Sequence, residues 1–198
     1  MTTLNPQLLL SAYSQGIFPM AHEDGIYWYD PDPRAILPLA GLHISRSLAR
    51  TLKQNKFEIR VNSAFTAVMR ACAAPDFGRE ETWISEEIIA AYTNLHNLRF
   101  AHSVEAWFEG KLVGGLYGIA LRGLFAGESM FSQESDASKV ALVYLVNRLR
   151  ERNFQLLDVQ FMTDHLCRLG ATEISQASYK RRLAQAMQVE TWFDQGRR

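Results

Sequence analysis

The sequence predicts a mixed α/β (α+β) fold: a sheet domain over residues 63–198 with a smaller N-terminal α/β lobe over residues 1–62. Three observations carry this. From His102 the stretch "HSVEAWFEGKLVGGLYGIALRGLFAGES" reads as three antiparallel strands, with turn residues at Glu109-Gly110 and Leu121-Arg122-Gly123. It is followed by "DASKVALVYLVNRLRER", where Leu142, Leu145, Val146 and Leu149 fall on one helical stripe. "FQLLDVQF" then returns to a strand pattern, and strands followed by a helix and another strand make a sheet packed with helices.

The remaining elements follow from local signals. Asn5-Pro6 opens a helix, Asn5 as cap and Pro6 in the first turn; it runs to about Tyr13 and stops near Gly16. "YWYDPDPRAILPL" carries three prolines and reads as a turning loop that ends in a short strand. Ile44, Leu48 and Leu52 mark one face of a helix in "HISRSLARTLKQN", and Phe57, Ile59 and Val61 alternate as a strand does. "SAFTAVMRACA" and "SEEIIAAYTNLHNL" are helical; Ser85 caps the second, and Glu86 and Glu87 complement its dipole. "TDHLCRLGA" is a short helix ended by Gly170, and "SYKRRLAQAM" closes the regular structure.

With 21 basic and 21 acidic side chains the formal net charge is zero, which argues against a wholesale nucleic-acid coat protein and leaves room for a local basic patch. Two cysteines, Cys72 and Cys167, are too few for a disulfide framework and too far apart for a zinc site. No basic leader precedes the first apolar run, and no stretch approaches about 18 uncharged apolar residues. These features predict a cytoplasmic protein without a membrane partner.

Polar residues in apolar surroundings mark the candidate site. Asp158 and Gln160 interrupt the strand "LLDVQF" two positions apart, so ideal alternation places both on one face. Burying a carboxylate costs several kcal/mol unless it is paired or faces something polar, so that face is expected to line a cleft. Glu128 sits where the strand "LFAG" is expected to stop, and strand ends are where sites form in open α/β sheets. Trp83, Leu116, Tyr117 and Phe125 are apolar or aromatic neighbours of these polar groups. Separately, Arg46, Arg50 and Lys53 recur at helical spacing, the pattern of a face that contacts a phosphate backbone. A Gly-rich phosphate loop with a Lys, a metal-ligand spacing and a nucleophile elbow are all missing from the sequence; Ser129 in "GESMF" is followed two places on by Phe131. Taken singly, each of these features also fits an ordinary solvated turn, a satisfied buried Asp, plain core or a solvated helix face.

The strings "GIFPM", "YDPDPRAILPL", "LHISRSLAR", "TWIS", "AHSVE", "LVGGLYG", "FAGESMFS", "ASK" and "LLDVQF" with "DHL" and "LGA" together resemble the leucyl/phenylalanyl-tRNA–protein transferase family, from about Leu8 to about Met187. The resemblance implies a sheet domain similar to the GNAT acyltransferases beside a small N-terminal α/β domain. It implies transfer of Leu, Phe or sometimes Met from aminoacyl-tRNA to proteins with N-terminal Lys or Arg, which are then degraded. It implies catalytic roles for Asp158, Gln160 and Glu128, and substrate-binding positions at Trp83, Leu116, Phe125 and Met20. It also implies tRNA contacts at Arg46, Arg50 and Lys53. No metal or small cofactor is implied, because the charged tRNA is itself the donor. Two departures stand out: many members carry an additional N-terminal segment, and many have Trp where this chain has Met20. Asp158 is expected to bind the cationic first residue of the acceptor or to deprotonate its amine, with Gln160 orienting the amine or the tetrahedral oxygen. Two alternatives stand beside this: a GNAT-type acetyltransferase using acetyl-CoA, to which the acidic, glycine-poor "GESMFSQESDAS" is ill suited, and a non-catalytic adaptor for tRNA or N-terminal signals.

Overall fold

A seven-stranded sheet organises the chain in the computed structural model, which describes residues 4–74 and 82–194. The elements run α1 (Pro6–Ser14), β1 (Phe18–His22), β2 (Gly25–Tyr29), β3 (Arg34–Ile36), α2 (Arg46–Lys53), β4 (Glu58–Val61), α3 (Phe65–Ala73) and α4 (Glu86–Asn97). They continue with β5 (Ala101–Phe108), β6 (Lys111–Leu121), β7 (Leu124–Ser132), α5 (Ala137–Glu151), β8 (Leu156–Gln160), α6 (Asp164–Arg168), β9 (Thr172–Ile174) and α7 (Gln176–Ala186). The sheet order is β4-β5-β6-β7-β8-β3-β9, and β1 pairs with β2 in a separate hairpin. Only β7 and β8 are parallel, joined through α5; the other neighbours are antiparallel. The mixed α/β class predicted from the sequence is the class observed.

Local chemistry accounts for these boundaries. The Asn5 side chain accepts the Leu8 N–H at 2.8 Å, so α1 begins at Pro6. Ser85 caps α4 in the same way through the Ile88 N–H. Between β5 and β6, Glu109 and Gly110 both take positive φ, 50° and 73°, as a two-residue hairpin turn matched to strand twist requires. Side chains alternate across the sheet. Tyr117, Ile119 and Ala126 join the core under α1, α3 and α4. Leu116, Phe125 and Leu157 join the core under α5, whose buried stripe includes Leu142, Leu145, Val146 and Leu149.

Of residues 1–62, expected to form a small N-terminal lobe, β3 and β4 are strands of the main sheet. What lies outside that sheet in this region is α1, the β1–β2 hairpin and α2. The strand expected to stop at Gly127 continues to Ser132, since β6 is long enough to pair with it throughout (Gly114↔Ser132). Among the described residues, no helix is long and apolar enough to cross a membrane.

The sheet opens where β7 and β8 part. They pair only over Leu124–Ala126 and Leu156–Asp158. Beyond that point β7 stays with β6 while β8 turns to β3. The carboxyl ends of two neighbouring parallel strands thus diverge, as at the switch points where open α/β sheets bind ligands.

Candidate active site

A cavity of about 190 Å³ lies at this divergence. Leu116, Met130, Leu142, Leu145, Leu157 and Val159 form its apolar wall, and Tyr117, Glu128 and Gln160 are also among its lining residues. Thr163 and His165, around the start of α6, also line it.

Glu128 reaches this place through a β-bulge. Gly127 pairs with Gly118 and Ser129 with Tyr117, so Glu128 is the extra residue with no partner on β6. A bulge re-aims a side chain and is favoured near sites for that reason. Tyr13 donates its hydroxyl to Glu128 Oε1 at 2.7 Å, and the Tyr13 and Tyr92 hydroxyls share a hydrogen bond. Burial pushes the Glu128 carboxyl up to about 8; the Tyr13 hydrogen bond opposes this, the charge of Asp158 adds to it, and Arg34 works against it.

Asp158 is arranged differently from the expectation. It is 1% exposed and already holds a cation: Arg34 donates Nε to Oδ1 at 2.9 Å and Nη2 to Oδ2 at 2.7 Å. The Tyr179 hydroxyl donates to Oδ2 at 2.8 Å and the Gln160 backbone N–H to Oδ1 at 3.0 Å. Each oxygen receives two donors, so all four acceptor sites of the carboxylate are used. Arg34 is 1% exposed, lies over the rings of Phe18 and Tyr179, and gives a further hydrogen bond to the Gly16 carbonyl at 2.9 Å. Asp158 is thus the centre of a buried, charge-neutral clamp joining β8, β3 and α7, and it is not free to receive an acceptor's cation.

The clamp has a consequence for Gln160. The register shift between Ala35 and Ile36 leaves Val159 opposite no residue, and Gln160 takes φ 57°. Strict alternation is broken, and Gln160 lines the same cavity as Leu157 and Val159. Asp158, through the Gln160 N–H, fixes this turn. The Gln160 Nε2 and the Tyr117 hydroxyl are buried polar atoms with no hydrogen-bond partner among the described residues.

The other predicted positions divide. Leu116 lines the cavity. Phe125 does not: it is 0% exposed, sits opposite Leu157 where β7 and β8 are still paired, and packs against Phe193. Trp83 and Met20 pack against the core that contains Tyr13 and Tyr92 and are not cavity walls; the Trp83 carbonyl accepts the Ala21 N–H and ties the β1–β2 hairpin down. Arg46, Arg50 and Lys53 are exposed on α2, which buries Leu48, and none of the three forms an ion pair among the described residues. The nearby Lys56 and Arg60, by contrast, pair with Glu134 and Glu58. Among the described residues no group of three His, Cys, Asp or Glu could hold a metal ion.

Sequence reasoning missed Arg34, Tyr13, Tyr92 and Tyr179. For Arg34 a signal exists: an arginine at the head of the apolar run "RAILPL" poses the same burial problem as the aspartate in "LLDVQF", and each solves the other. The tyrosines give no such sign, because nothing in a helical Tyr distinguishes a core ring from a hydroxyl that serves a carboxyl across the sheet.

Two family models match the chain. One, described as leucyl/phenylalanyl-tRNA protein transferase, covers residues 36–184, and one for the N-terminal domain of the same family covers residues 2–32. A leucyl/phenylalanyl-tRNA–protein transferase of Herpetosiphon aurantiacus is 57% identical over 191 residues, 96% of this chain and 98% of that protein. The one from Paramagnetospirillum magneticum is 54% identical over 98% of this chain and 94% of that protein, and the one from Gloeobacter violaceus 51% identical over 98% and 99%.

Proposed function

The chain belongs to the leucyl/phenylalanyl-tRNA protein transferase family and is an aminoacyltransferase, and we propose that it moves Leu, Phe or Met from aminoacyl-tRNA to the α-amine of proteins that begin with Lys or Arg, marking them for degradation in the cytoplasm. The observation that carries this reading is the cavity: an apolar chamber whose lining includes Glu128 and Gln160, at the divergence of two parallel strands. An amino acid esterified through its carboxyl has this polarity, an apolar side chain on the carbon that bears the amine and the reacting carbonyl.

The donor's side chain fills the space walled by Leu116, Met130, Leu142, Leu145, Leu157 and Val159. Each buried methylene adds about 0.8 kcal/mol, so such a wall ranks side chains by size and shape without rejecting any unbranched or γ-branched one sharply. Glu128 faces the donor's α-amino group. An ammonium beside it draws its carboxyl back toward the ionised form. Gln160 Nε2, which is only a donor, faces the carbonyl oxygen and stabilises the negative charge that develops there. The acceptor's amine attacks the ester carbon, the C–N bond forms, the bond to the ribose oxygen breaks, and the proton lost by the amine ends on that oxygen.

Asp158 contributes to this by position. Held by Arg34 and Tyr179, it fixes the turn that aims Gln160. The ester is already activated, so placement of the amine and exclusion of water supply most of the acceleration; good placement is worth about 7–11 kcal/mol at its upper limit. The exposed cations Arg46, Arg50 and Lys53 on α2, which packs on α5, offer contacts to the tRNA backbone. The meander leading through α5 to a splayed parallel strand supports the GNAT-like reading of the sheet.

The test is direct. The protein is incubated with radiolabelled leucyl-tRNA and a peptide beginning with Arg. Label in the peptide, greatly reduced when the first residue is Gly, is the expected result. Binding of both substrates without transfer would make the protein an adaptor, and acetyl transfer from acetyl-CoA would make it an acetyltransferase.

A further inference from the structure

Aminoacyl transfer needs a group that moves a proton, and the carboxyls at this site are committed elsewhere. Asp158 is sealed by Arg34 and Tyr179, and Glu128 accepts from Tyr13 and, in the reading above, holds the donor's ammonium. His165 on α6 is different. It lines the cavity, is half-buried, and its ring has no hydrogen-bond partner among the described residues. The helix settles which way it faces. Leu169, four residues on, is buried in the core that contains Leu142 and Leu145, and residues four apart share a helical face. On α5 the charge of Lys139 acts on the ring, and Leu142, three residues further along α5, is cavity wall. The imidazole therefore sits where α5 and α6 meet the cavity. The charged groups around it are Lys139, paired with Asp136, then Arg168 on α6 and, in the same cavity lining, Glu128 of β7. Burial holds the imidazole below its usual value, and Lys139 and Arg168 push the same way. A histidine held below about 6.5 is neutral at pH 7, with one nitrogen that accepts and one that donates.

We propose that His165 is a catalytic residue of the transfer step: its imidazole takes a proton from the acceptor's amine as that amine attacks the ester carbon, and gives it to the ribose oxygen as that oxygen leaves. The assignment rests on the reading of the cavity as the aminoacyl site. The step balances. The nitrogen lone pair forms the C–N bond, the electrons of the breaking C–O bond go to the ribose oxygen, one proton passes from nitrogen to oxygen, and the imidazole ends as it began. One group must accept and then donate near neutral pH, which is what imidazole does best. Thr163, the neighbouring polar residue of the lining, accepts the Leu166 N–H as the cap of α6 and does not titrate. A chamber of about 190 Å³ takes one amino-acid side chain and little else, so the ester stands at its mouth, among the groups of the rim. Arg168, whose charge acts on the ring, is exposed and has no ion pair among the described residues. It is free to hold the phosphate that precedes the terminal ribose, which brings the leaving oxygen to the imidazole's side.

The experiment measures single-turnover transfer from leucyl-tRNA to an Arg-initiated peptide by wild type, by His165→Gln, and by His165→Gly with and without added imidazole. In His165→Gln the rate is expected to fall about 100-fold or more, the usual loss for a proton-transfer group. The Kd for leucyl-tRNA is expected to stay within about twofold and the Tm to hold, since a half-exposed ring without a hydrogen bond leaves little behind. Added imidazole is expected to restore part of the rate in His165→Gly, in step with its free-base fraction, and to leave His165→Gln unmoved because glutamine fills the space. A rate in His165→Gln within about threefold of wild type would overturn the proposal. So would a fall matched by weaker tRNA binding, which makes the ring a binding contact, or a clear drop in Tm, which makes it packing. A folded His165→Gly that imidazole does not rescue would overturn it as well. Failure of the wild type to transfer at all would instead refute the aminoacyl reading of the cavity, and the His165 assignment with it.

Discussion

Glu128→Gln should make the protein more stable, and the gain should grow with pH. In the unfolded chain a glutamate titrates near 4.5, and in the folded protein burial moves Glu128 to about 8. A carboxyl whose folded value is raised binds its proton more tightly in the folded state. The stability this provides is complete below about 4.5 and is lost as pH rises through about 8. Across that interval, at about 1.4 kcal/mol per pH unit, the full loss is about 5 kcal/mol, and solvent reaching the partly open cavity screens it to about 2–3 kcal/mol. Gln keeps the shape and still accepts from Tyr13 but never ionises, so it avoids the loss. Urea unfolding of both proteins at pH 5 and at pH 8.5 measures it. The difference in unfolding free energy between variant and wild type should be larger at pH 8.5 by about 2–3 kcal/mol, a Tm gain of about 4–12 °C for a chain of this size. A difference that is the same at both pH values would refute the reasoning, because the carboxyl would then titrate as an ordinary exposed one.

Arg34→Met leaves the Asp158 carboxylate buried without its cation and should cost about 3–5 kcal/mol in urea unfolding, whereas Arg34→Met with Asp158→Leu should recover most of that loss. Replacing Arg46, Arg50 and Lys53 together by Ala should weaken tRNA binding at low salt and reduce the slope of log affinity against log salt by about 2–3 in a filter-binding titration, with the Tm unchanged. At Gly118 a Cβ would meet the Ala126 carbonyl oxygen at 2.3 Å, so Gly118→Ala should lower stability by at least about 1–3 kcal/mol and displace the bulge that carries Glu128, seen as a lower Tm and reduced transfer together.

What the sequence makes legible here is what is local. The Asn5 and Ser85 caps, the Glu109-Gly110 turn and the apolar stripe of α5 are each written within a few residues, and each forms as expected. The β1–β2 hairpin and β9 are not legible in the sequence, because neither shows clean alternation of apolar and polar residues and β9 is only three residues long. The placement of β3 beside β8 depends on a partner 124 residues away: Arg34 enters the sheet because Asp158 is there to receive it. The candidate site shows the same division. Glu128, Gln160 and Leu116 are legible from residue type and position, and they line one cavity. The free carboxylate expected at Asp158 was not found, since strand periodicity places a side chain on a face and says nothing of what already occupies that face. Phe125 shows the limit in register: one pairing step decides whether a ring lines the gap between β7 and β8 or lies in the packed region where they still pair.

The claim most in need of test is that the cavity between α5 and the diverging strands holds the donor's side chain. Met130 is a partly buried wall residue, and Met130→Ala enlarges the chamber without touching Glu128, Gln160 or the Arg34–Asp158 clamp. The measurement is the ratio of kcat/KM for phenylalanyl-tRNA to that for leucyl-tRNA, with one Arg-initiated peptide as acceptor. The account predicts that the ratio rises by about fourfold or more in Met130→Ala, the value of at least one additional buried methylene for the larger ring. An unchanged ratio in a variant that still folds and binds tRNA would contradict it, and the side chain would have to lie elsewhere.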